Sequence, residues 1–260
     1  MLMNATSTKG VCLVIGAGDA TGGAIARRFA REGFIGCVTR RSVDKLAPLV
    51  AQIEAEGGKA HAFGSDARKE EEVTALVEQI ESTIGPIEVL VFNIGANVAS
   101  SILEETARKY FKIWEMGCFG GFLNGREVAK RMVTRGRGTI IFTGATASIR
   151  GAANFAAFAG AKHALRALAQ SMARELGPRG IHVAHTVIDG AIDTAFIRDL
   201  FPDRYALKAQ DGILNPEHIA DAYWMLHTQP RSGCWMIDER PAVGLYWLIT
   251  TRPLSLVPRK

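Results

Sequence analysis

One glycine-rich turn near the start of the chain constrains the fold more than any other feature of this sequence. The turn follows a short apolar run, Val11 to Ile15, and precedes apolar residues at helical spacing from Ala24 to Ala30. A strand that passes through a tight turn directly into a helix is the pattern of a βα unit. The glycines of this turn are Gly16, Gly18, Gly22 and Gly23.

Such a turn is suited to binding phosphate. The bare backbone approaches a pyrophosphate closely, and the free N–H groups and positive dipole end of the following helix point at it. Similar glycine patterns also occur in turns with a purely structural role, so it is the flanking strand and helix that favour a dinucleotide site here.

The strand-then-helix pattern repeats along the chain without an intervening linker. Apolar runs predict strands at Val11–Ile15, Ile35–Thr39, Ala60–Gly64, Val89–Ile94, Thr139–Thr143 and His182–Ile188. Amphipathic stretches predict helices over Val43–Glu56, Glu70–Ile84, Ala107–Thr134 and Ala156–Leu176. Strict alternation predicts a Rossmann-like, doubly wound α/β fold, with helices on both faces of a mainly parallel sheet.

We expect one dinucleotide-binding domain over residues 1–260. A seventh short strand is predicted at Cys234–Asp238, which makes the sheet seven-stranded. Residues 243–260 form an atypical tail, rich in apolar side chains, that the fold does not require. We interpret this tail as a subunit contact.

Composition excludes several classes of protein. Apolar residues make up 48% of the chain and charged residues 22%, which is typical of a compact folded protein. The net charge of +5 comes from scattered lysines and arginines, so we expect no nucleic-acid partner. Four cysteines without paired or zinc-ligand spacing predict reduced thiols, no metal and a cytoplasmic location.

No segment favours a membrane. The opening ten residues lack the apolar core of a secretory signal, and the late apolar stretch Ala242–Ile249 is too short to cross a bilayer. We therefore expect a protein without a membrane partner.

The end of the second predicted strand indicates which dinucleotide binds. NAD-binding folds usually place an acidic residue there, where it accepts hydrogen bonds from the ribose 2′-OH. This chain has Arg40 and Arg41 instead. A guanidinium pairs with a 2′-phosphate that a carboxylate would repel, so we predict NADP(H); the alternative is two surface arginines.

With these features the sequence resembles the short-chain dehydrogenase/reductase family over essentially its whole length. The family's glycine motif is approximated by Ile15, Gly16, Ala20 and Gly22, its NNAG motif by Phe92 to Gly95, and its PG motif by Asp189 and Gly190. Asp66 matches the family's adenine-contacting acid, and Thr194 matches the threonine at the carboxamide end of the cofactor.

The resemblance implies a set of cofactor-binding residues. They are Gly16, Gly18, Asp19, Ala20, Thr21, Gly22, Arg40, Arg41, Asp66, Ala67, Asn93, Gly95, Lys162, Gly190, Ile192 and Thr194.

The departures from the family concern catalysis. Of the family's catalytic groups the lysine is present as Lys162, whereas the tyrosine, serine and asparagine positions hold Phe158, Ala145 and Gly117. The tyrosine protonates the carbonyl oxygen as hydride arrives, and general acid catalysis is worth roughly 10² to 10⁴-fold. We expect impaired or unconventional catalysis.

Other polar groups lie near these positions. Thr143, Thr146 and Ser148 follow the fifth predicted strand, but none has the family spacing to position 158. His163 is expected on another face of the helix from Lys162, and as single residues all four fit a structural role better.

Two functions are consistent with this pattern. The first is an NADP(H)-dependent oxidoreductase of unknown substrate, acting on a small-molecule carbonyl or alcohol with an altered proton donor. The alternative is a catalytically inactive NADPH sensor or partner subunit. The family resemblance also implies a homodimer or homotetramer that packs through the long helices.

Overall fold

The computed structural model describes residues 8–230 and 244–249. Its strands are β1 (Val11–Ile15), β2 (Ile35–Arg40), β3 (Lys59–Gly64), β4 (Ile87–Phe92), β5 (Gly138–Ala145), β6 (Ile181–Asp189) and β7 (Gly244–Ile249). Its helices are α1 (Thr21–Arg31), α2 (Ala47–Ala55), α3 (Glu70–Thr83), α4 (Ala107–Trp114), α5 (Gly120–Arg135), α6 (Ala156–Leu176), α7 (Ala195–Leu200), α8 (Pro202–Tyr205) and α9 (Pro216–Thr228).

The sheet confirms the predicted Rossmann-like class. Within the described ranges the strand order is β3-β2-β1-β4-β5-β6-β7, and β1 to β6 run parallel. Two apolar clusters cover its two faces, one around Phe29 and Tyr223 and the other around Phe92 and Phe142. Both faces are buried, which explains the continuous apolar runs of the strands.

The last strand corrects one interpretation. Residues 244–249 pair antiparallel with β6, so this part of the predicted tail belongs to the sheet. The physical reason is that β6 would otherwise expose a row of unpaired backbone groups, which a short apolar segment satisfies. The strand predicted at Cys234–Asp238 lies outside the described residues.

Two other boundaries differ from the prediction. β4 begins and ends two residues earlier than predicted, because Val11 N donates to Pro86 O at 2.8 Å and sets the register of β4 on β1. The helix predicted over 107–134 is interrupted by a π-helical turn, Glu115–Phe119. One extra residue in this turn keeps Trp114 and Phe119 stacked, with ring centroids 6.0 Å apart.

A buried hydroxyl network joins α9 to the sheet. Tyr223 is fully buried, and its Oη lies 2.7 Å from Thr143 Oγ1 and 2.8 Å from Thr186 Oγ1. Burial raises the pKa of Tyr223 to about 12. This network holds the middle of β5 and β6 against α9.

We predict that Tyr223→Phe lowers the free energy of unfolding by about 1–3 kcal/mol, because two buried threonine hydroxyls lose a partner. Urea unfolding measures this loss. The control Tyr205→Phe removes a hydroxyl at the end of α8, where the residue is half-buried and the hydroxyl lies 3.5 Å from Lys208 Nζ, and should cost less than about 0.5 kcal/mol. Equal losses in the two variants would show that the network contributes nothing.

Candidate cofactor and active site

The glycine turn and the start of α1 form a cradle at the carboxyl edge of the sheet. The strand order reverses direction between β1 and β4, which is where open α/β sheets bind ligands. A Cβ atom at Gly22 would lie 2.8 Å from Gly16 O, and one at Gly23 would lie 2.2 Å from Gly18 O. These positions require glycine because the turn packs directly on the helix.

The amino end of α1 is free to bind an anion. Within the described chain no side chain caps this helix, and its first turn contains no acidic residue. The first N–H groups therefore lack an internal partner. A pyrophosphate would supply one, so the residues present fit a dinucleotide.

Asn93 connects this cradle to β4. Its backbone N donates to Ile15 O at 2.8 Å, and its Nδ2 donates to Gly16 O at 3.2 Å. The structure thus brings Asn93 to the glycine turn, as the motif predicted, although the side chain holds the backbone of the turn. Asp19 lies exposed on the turn, and Thr21 is buried at the start of α1.

A cavity of about 170 Å³ lies beside the cradle, at the ends of β2, β3 and β4. It is lined by Ile15, Gly16, Thr39, Arg40, Arg41, Ser65, Asp66, Ala67, Arg68, Ile94 and Met116. Five of these residues were predicted as cofactor contacts: Gly16, Arg40, Arg41, Asp66 and Ala67.

The cavity is electropositive. The guanidinium groups of Arg40 and Arg41 form no ion pair or hydrogen bond with any residue in the described part of the chain. Ser65 Oγ, also on the cavity wall, is buried and lacks a hydrogen-bond partner among the described residues. These unsatisfied donors mark a place for an anionic, hydroxyl-rich ligand.

Asp66 is held by a residue that sequence reasoning missed. Arg68 donates from Nε to Asp66 Oδ1 at 2.9 Å and from Nη2 to Oδ2 at 2.6 Å. These hydrogen bonds from Arg68 lower the pKa of Asp66 to about 2. A basic residue two positions after the acid was the available sequence signal, since such a pair closes a local turn.

Lys162 lies in the floor of the site, on α6. It is 2% exposed, and its Nζ donates to Thr143 O at 2.8 Å and to Ile94 O at 2.9 Å. An ammonium has three donors, so one remains for a ligand. Burial is the main cause that lowers the pKa of Lys162 to about 7.

The wall next to Lys162 is apolar. Phe158 is buried among Ala145, Ala147 and Phe155, and its ring centroid lies 5.9 Å from Lys162 Nζ. Gly117 lies in the π-helical turn, where a Cβ atom would be 3.0 Å from Ala161 Cβ. The structure thus brings Phe158 and Ala145 together beside Lys162, and leaves little room for a larger side chain at position 117.

The three hydroxyls after β5 differ in their partners. Thr143 is bonded to Tyr223 in the core, and Ser148, which is fully buried, accepts a hydrogen bond from Ala145 N at 3.1 Å. Thr146 is half-buried and donates to Asp189 Oδ1 at the end of β6. His163 is exposed, as expected, and its Nδ1 lies 2.9 Å from Ala159 O in its own helix.

The segment after β6 is anchored locally. Ile192 pairs with Leu214 in an isolated bridge, and Thr194 Oγ1 accepts from Ile197 N at 3.2 Å, which caps α7. Gly190 is exposed immediately after β6. These residues lie at the same edge of the sheet as the glycine turn, several strands away from it.

Comparison with known proteins defines the class of this fold and site. Residues 10–204 match the family model for short chain dehydrogenase. The chain therefore belongs to the short-chain dehydrogenase/reductase family, and we regard it as an oxidoreductase of that family with a nicotinamide cofactor and a small-molecule substrate.

Individual relatives cover most of the chain. A short-chain dehydrogenase/reductase of Armillaria gallica is 33% identical over 186 residues, which is 70% of this chain and 71% of the relative. The crystal structure of a short-chain dehydrogenase from Rhodopseudomonas palustris is 48% identical, with a TM-score of 0.75, and the match covers 89% of this chain and 98% of that chain. The structure of actinorhodin polyketide ketoreductase with NADPH is 26% identical, with a TM-score of 0.77, and the match covers 84% of this chain and 90% of that chain.

Two other findings concern the described residues alone. They contain no group of three or more His, Cys, Asp or Glu side chains that could hold a metal ion. None of their helices combines the length and hydropathy needed to cross a membrane.

We predict a pH dependence of stability that Lys162 causes. Between pH 7 and 10.5 the unfolded chain binds a proton at Lys162 that the folded chain has lost, so the contribution of this residue to stability rises with pH across that window. The difference in unfolding free energy between Lys162→Met and the unmodified chain should change by about 1–4 kcal/mol from pH 7 to pH 10, in favour of the unmodified chain.

The measurement is how the difference in unfolding free energy changes with pH. Its absolute value is less informative, because Lys162→Met also leaves two carbonyls without a donor. Denaturant unfolding at several pH values gives the change. The raised pKa values of Cys12, Cys37 and Tyr223 cancel because both proteins contain these groups. Burial raises the pKa of Cys118 and the charge of Lys162 lowers it, so both proteins are measured with Cys118→Ala. Lys45→Met, which removes an exposed lysine, is the control and should show a flat difference. A flat difference for Lys162→Met would mean that its ammonium is not destabilised by burial.

Proposed function

We propose that this chain is an NADP(H)-dependent oxidoreductase that acts on a small-molecule carbonyl or alcohol without the tyrosine and serine of its family. The observation that carries the cofactor assignment is the pair of unpaired guanidinium groups, Arg40 and Arg41, at the end of β2. A ribose 2′-phosphate is the part of NADP(H) that would neutralise them.

The surroundings of these arginines support the same cofactor. Arg68 adds a third guanidinium to the cavity, while Asp66 is the single carboxylate on its described wall. Because Arg68 already binds both oxygens of Asp66, that carboxylate is compensated and does not oppose a phosphate. The related ketoreductase, whose structure was determined with NADPH, is consistent with this choice.

The chain's own residues would position the two ends of the cofactor. The free N–H groups of α1 bind the pyrophosphate, and Asn93 holds the glycine turn in the required shape. In its ammonium form, Lys162 would offer its third N–H to the nicotinamide ribose while the other two bind Ile94 O and Thr143 O. We assign the carboxamide end to Gly190, Ile192 and Thr194, which follow β6 at the same edge of the sheet as the glycine turn. When bound, the nicotinamide supplies or accepts the hydride.

The reaction end of the site would lack the family's proton donor. Phe158 has no exchangeable proton, and Ala145 has no hydroxyl to hold a carbonyl oxygen. The apolar wall that they form offers no proton donor to a substrate. We therefore propose slow reduction of simple carbonyl compounds.

A role without turnover is the second candidate. The position of Phe158 favours this candidate, because a buried phenylalanine beside Lys162 leaves cofactor binding possible but supplies no acid. Such a protein would report NADPH or assist an active subunit. It is distinguished from an enzyme by the absence of hydride transfer when the cofactor is bound.

We also propose a homodimer or homotetramer. A stripe of stacked aromatic rings runs along α4 and α5, and it includes Phe111, which is 57% exposed, and Phe122, which is 37% exposed. An exposed aromatic stripe on long helices is typical of a protein interface.

We predict that NADPH binds at least about tenfold more tightly than NADH, which corresponds to about 1.4 kcal/mol. Calorimetric titration of both cofactors measures the ratio, and Arg40→Ala should remove most of it because a charge-assisted contact to the 2′-phosphate is lost. Arg179→Ala, which removes an exposed arginine that precedes β6 at the opposite edge of the sheet, should leave the ratio unchanged. Equal affinities for the two cofactors in the unmodified chain would refute the assignment.

We predict that Phe158→Tyr with Ala145→Ser raises the rate of aldehyde and ketone reduction by roughly 10²-fold, because a phenol and a hydroxyl then reach the same carbonyl oxygen. Phe158→Tyr alone should recover less. Single-turnover oxidation of NADPH across an aldehyde panel is the measurement. If the unmodified chain already reduces these compounds at roughly 1 to 10³ s⁻¹, the proposed impairment is wrong.

A further inference from the structure

We propose that Thr146 and Asp189 together accept the proton of an alcohol substrate, in the place of the missing tyrosine. This inference rests on the proposed function, because it concerns the reaction that the bound NADP⁺ would undergo. It describes the reversible reaction in its oxidative direction, with Thr146 as the group that touches the substrate and Asp189 as the proton acceptor behind it.

Three hydroxyls lie in the last part of β5 or just after it, and their hydrogen-bond partners leave one of them as a candidate. Thr143 Oγ1 is buried against Tyr223, and Ser148 Oγ is buried against Ala145 N. Thr146 is half-buried and bonded to a carboxylate. A hydroxyl that donates to a carboxylate can take up another proton as it gives its own away. A hydroxyl whose hydrogen bonds lie within the core is not available to a substrate.

The sheet register places this pair at the reaction end of the site. Ala145 of β5 lies opposite Ile188 of β6, so the next residues of the two strands, Thr146 and Asp189, meet at the carboxyl edge. Ala145 packs against the Phe158 cluster, which puts Thr146 one residue from the apolar wall. Lys162 binds the carbonyl of Thr143 on the same strand end.

The hydrogen bond between Thr146 and Asp189 leaves the threonine hydroxyl able to accept a proton. Because the Thr146 hydroxyl donates to Asp189, its lone pairs face outward as acceptors, and an alcohol can donate to them. The other carboxylate oxygen, Oδ2, lies 3.9 Å from Nη2 of Arg150, which is largely exposed. This cation compensates the charge of Asp189 while the site is at rest.

The reaction balances as follows. The alcohol proton moves to Thr146 Oγ1 as the Thr146 proton moves to the Asp189 carboxylate, and the electron pair of the broken O–H bond forms the carbonyl π bond. The hydride of the adjacent C–H bond goes to the oxidised nicotinamide. The alcohol is oxidised, the nicotinamide is reduced, and Asp189 then releases one proton to water.

Single-turnover reduction of NADP⁺ by a panel of primary and secondary alcohols tests this assignment. Thr146→Val and Asp189→Asn should each lower the rate at least about 100-fold, the scale of general base catalysis. Asp189→Asn is the sharper variant, because its amide oxygen still accepts the threonine hydrogen bond but takes no proton. Thr146→Ser should keep the rate within about threefold, since it keeps the hydroxyl.

Binding gives a readout that does not depend on turnover. Hexafluoroisopropanol, an alcohol that resists oxidation, should bind the NADP⁺ complex about tenfold more weakly in Thr146→Val, as expected for one lost hydrogen bond, and normally in Thr146→Ser. The matched control is Thr228→Val at the exposed end of α9, where the hydroxyl contacts only backbone carbonyls of its own helix. It should change neither measurement.

The outcomes separate the two proposals. Absence of NADP⁺ binding by the unmodified chain, measured by calorimetry, would refute the proposed function. Normal NADP⁺ binding with unchanged rates in Thr146→Val or Asp189→Asn overturns the proton-transfer assignment alone, and so does normal NADP⁺ binding without any alcohol oxidation across the panel.

Discussion

The ammonium group of Lys162 ties together the two strand ends on which the site is built. It binds one carbonyl after β4 and one at the end of β5, so it fixes the floor between the glycine turn and the apolar wall. Burying a charge is costly, and the low pKa of Lys162 reflects that cost. Two carbonyl partners offset part of it, which makes the spacing of β4 and β5 depend on this side chain.

The two ends of the site differ in their electrostatics. At the β2 and β3 end, three arginines and Asp66 surround a cavity open to an anion. At the β5 and β6 end, Phe158 and its neighbours form an apolar wall, with Thr146 and Asp189 as the polar pair at its border. A ligand with a phosphate at one end and an uncharged ring at the other matches this division.

The parts of the fold that were predictable depend on local patterns. β1 and α6 have the predicted bounds, because an apolar run or a helical period carries its own signal. The position of β7 was not predictable in this way, since its pairing with β6 bridges a long sequence separation. The π-helical turn was equally hidden, because one inserted residue hardly changes the apolar period over Ala107–Thr134.

The site follows the same division. Arg40, Asp66 and Asn93 were predicted from their places at strand ends, and Lys162 was predicted from the family's spacing on α6. Ser65 and the link from Thr146 to Asp189 could not be predicted, since the first depends on which buried atom lacks a partner and the second on register between β5 and β6. The spacing of motifs along the sequence identifies candidate positions, whereas the hydrogen-bond partners seen in the structure decide which side chains are free to react.

Gly117 limits what the proposed changes at positions 158 and 145 could restore. A Cβ atom at this position would lie 3.0 Å from Ala161 Cβ, so the π-helical turn and α6 pack closely at the position that the resemblance aligns with the family's asparagine. Restoring a tyrosine at position 158 adds an acid, but its proton would have no asparagine to support a water chain. Thr146 and Asp189 need no such support, because the carboxylate is half-buried and reaches water directly. A proton path through Thr146 and Asp189 thus fits this packing better than a path past Lys162 and position 117.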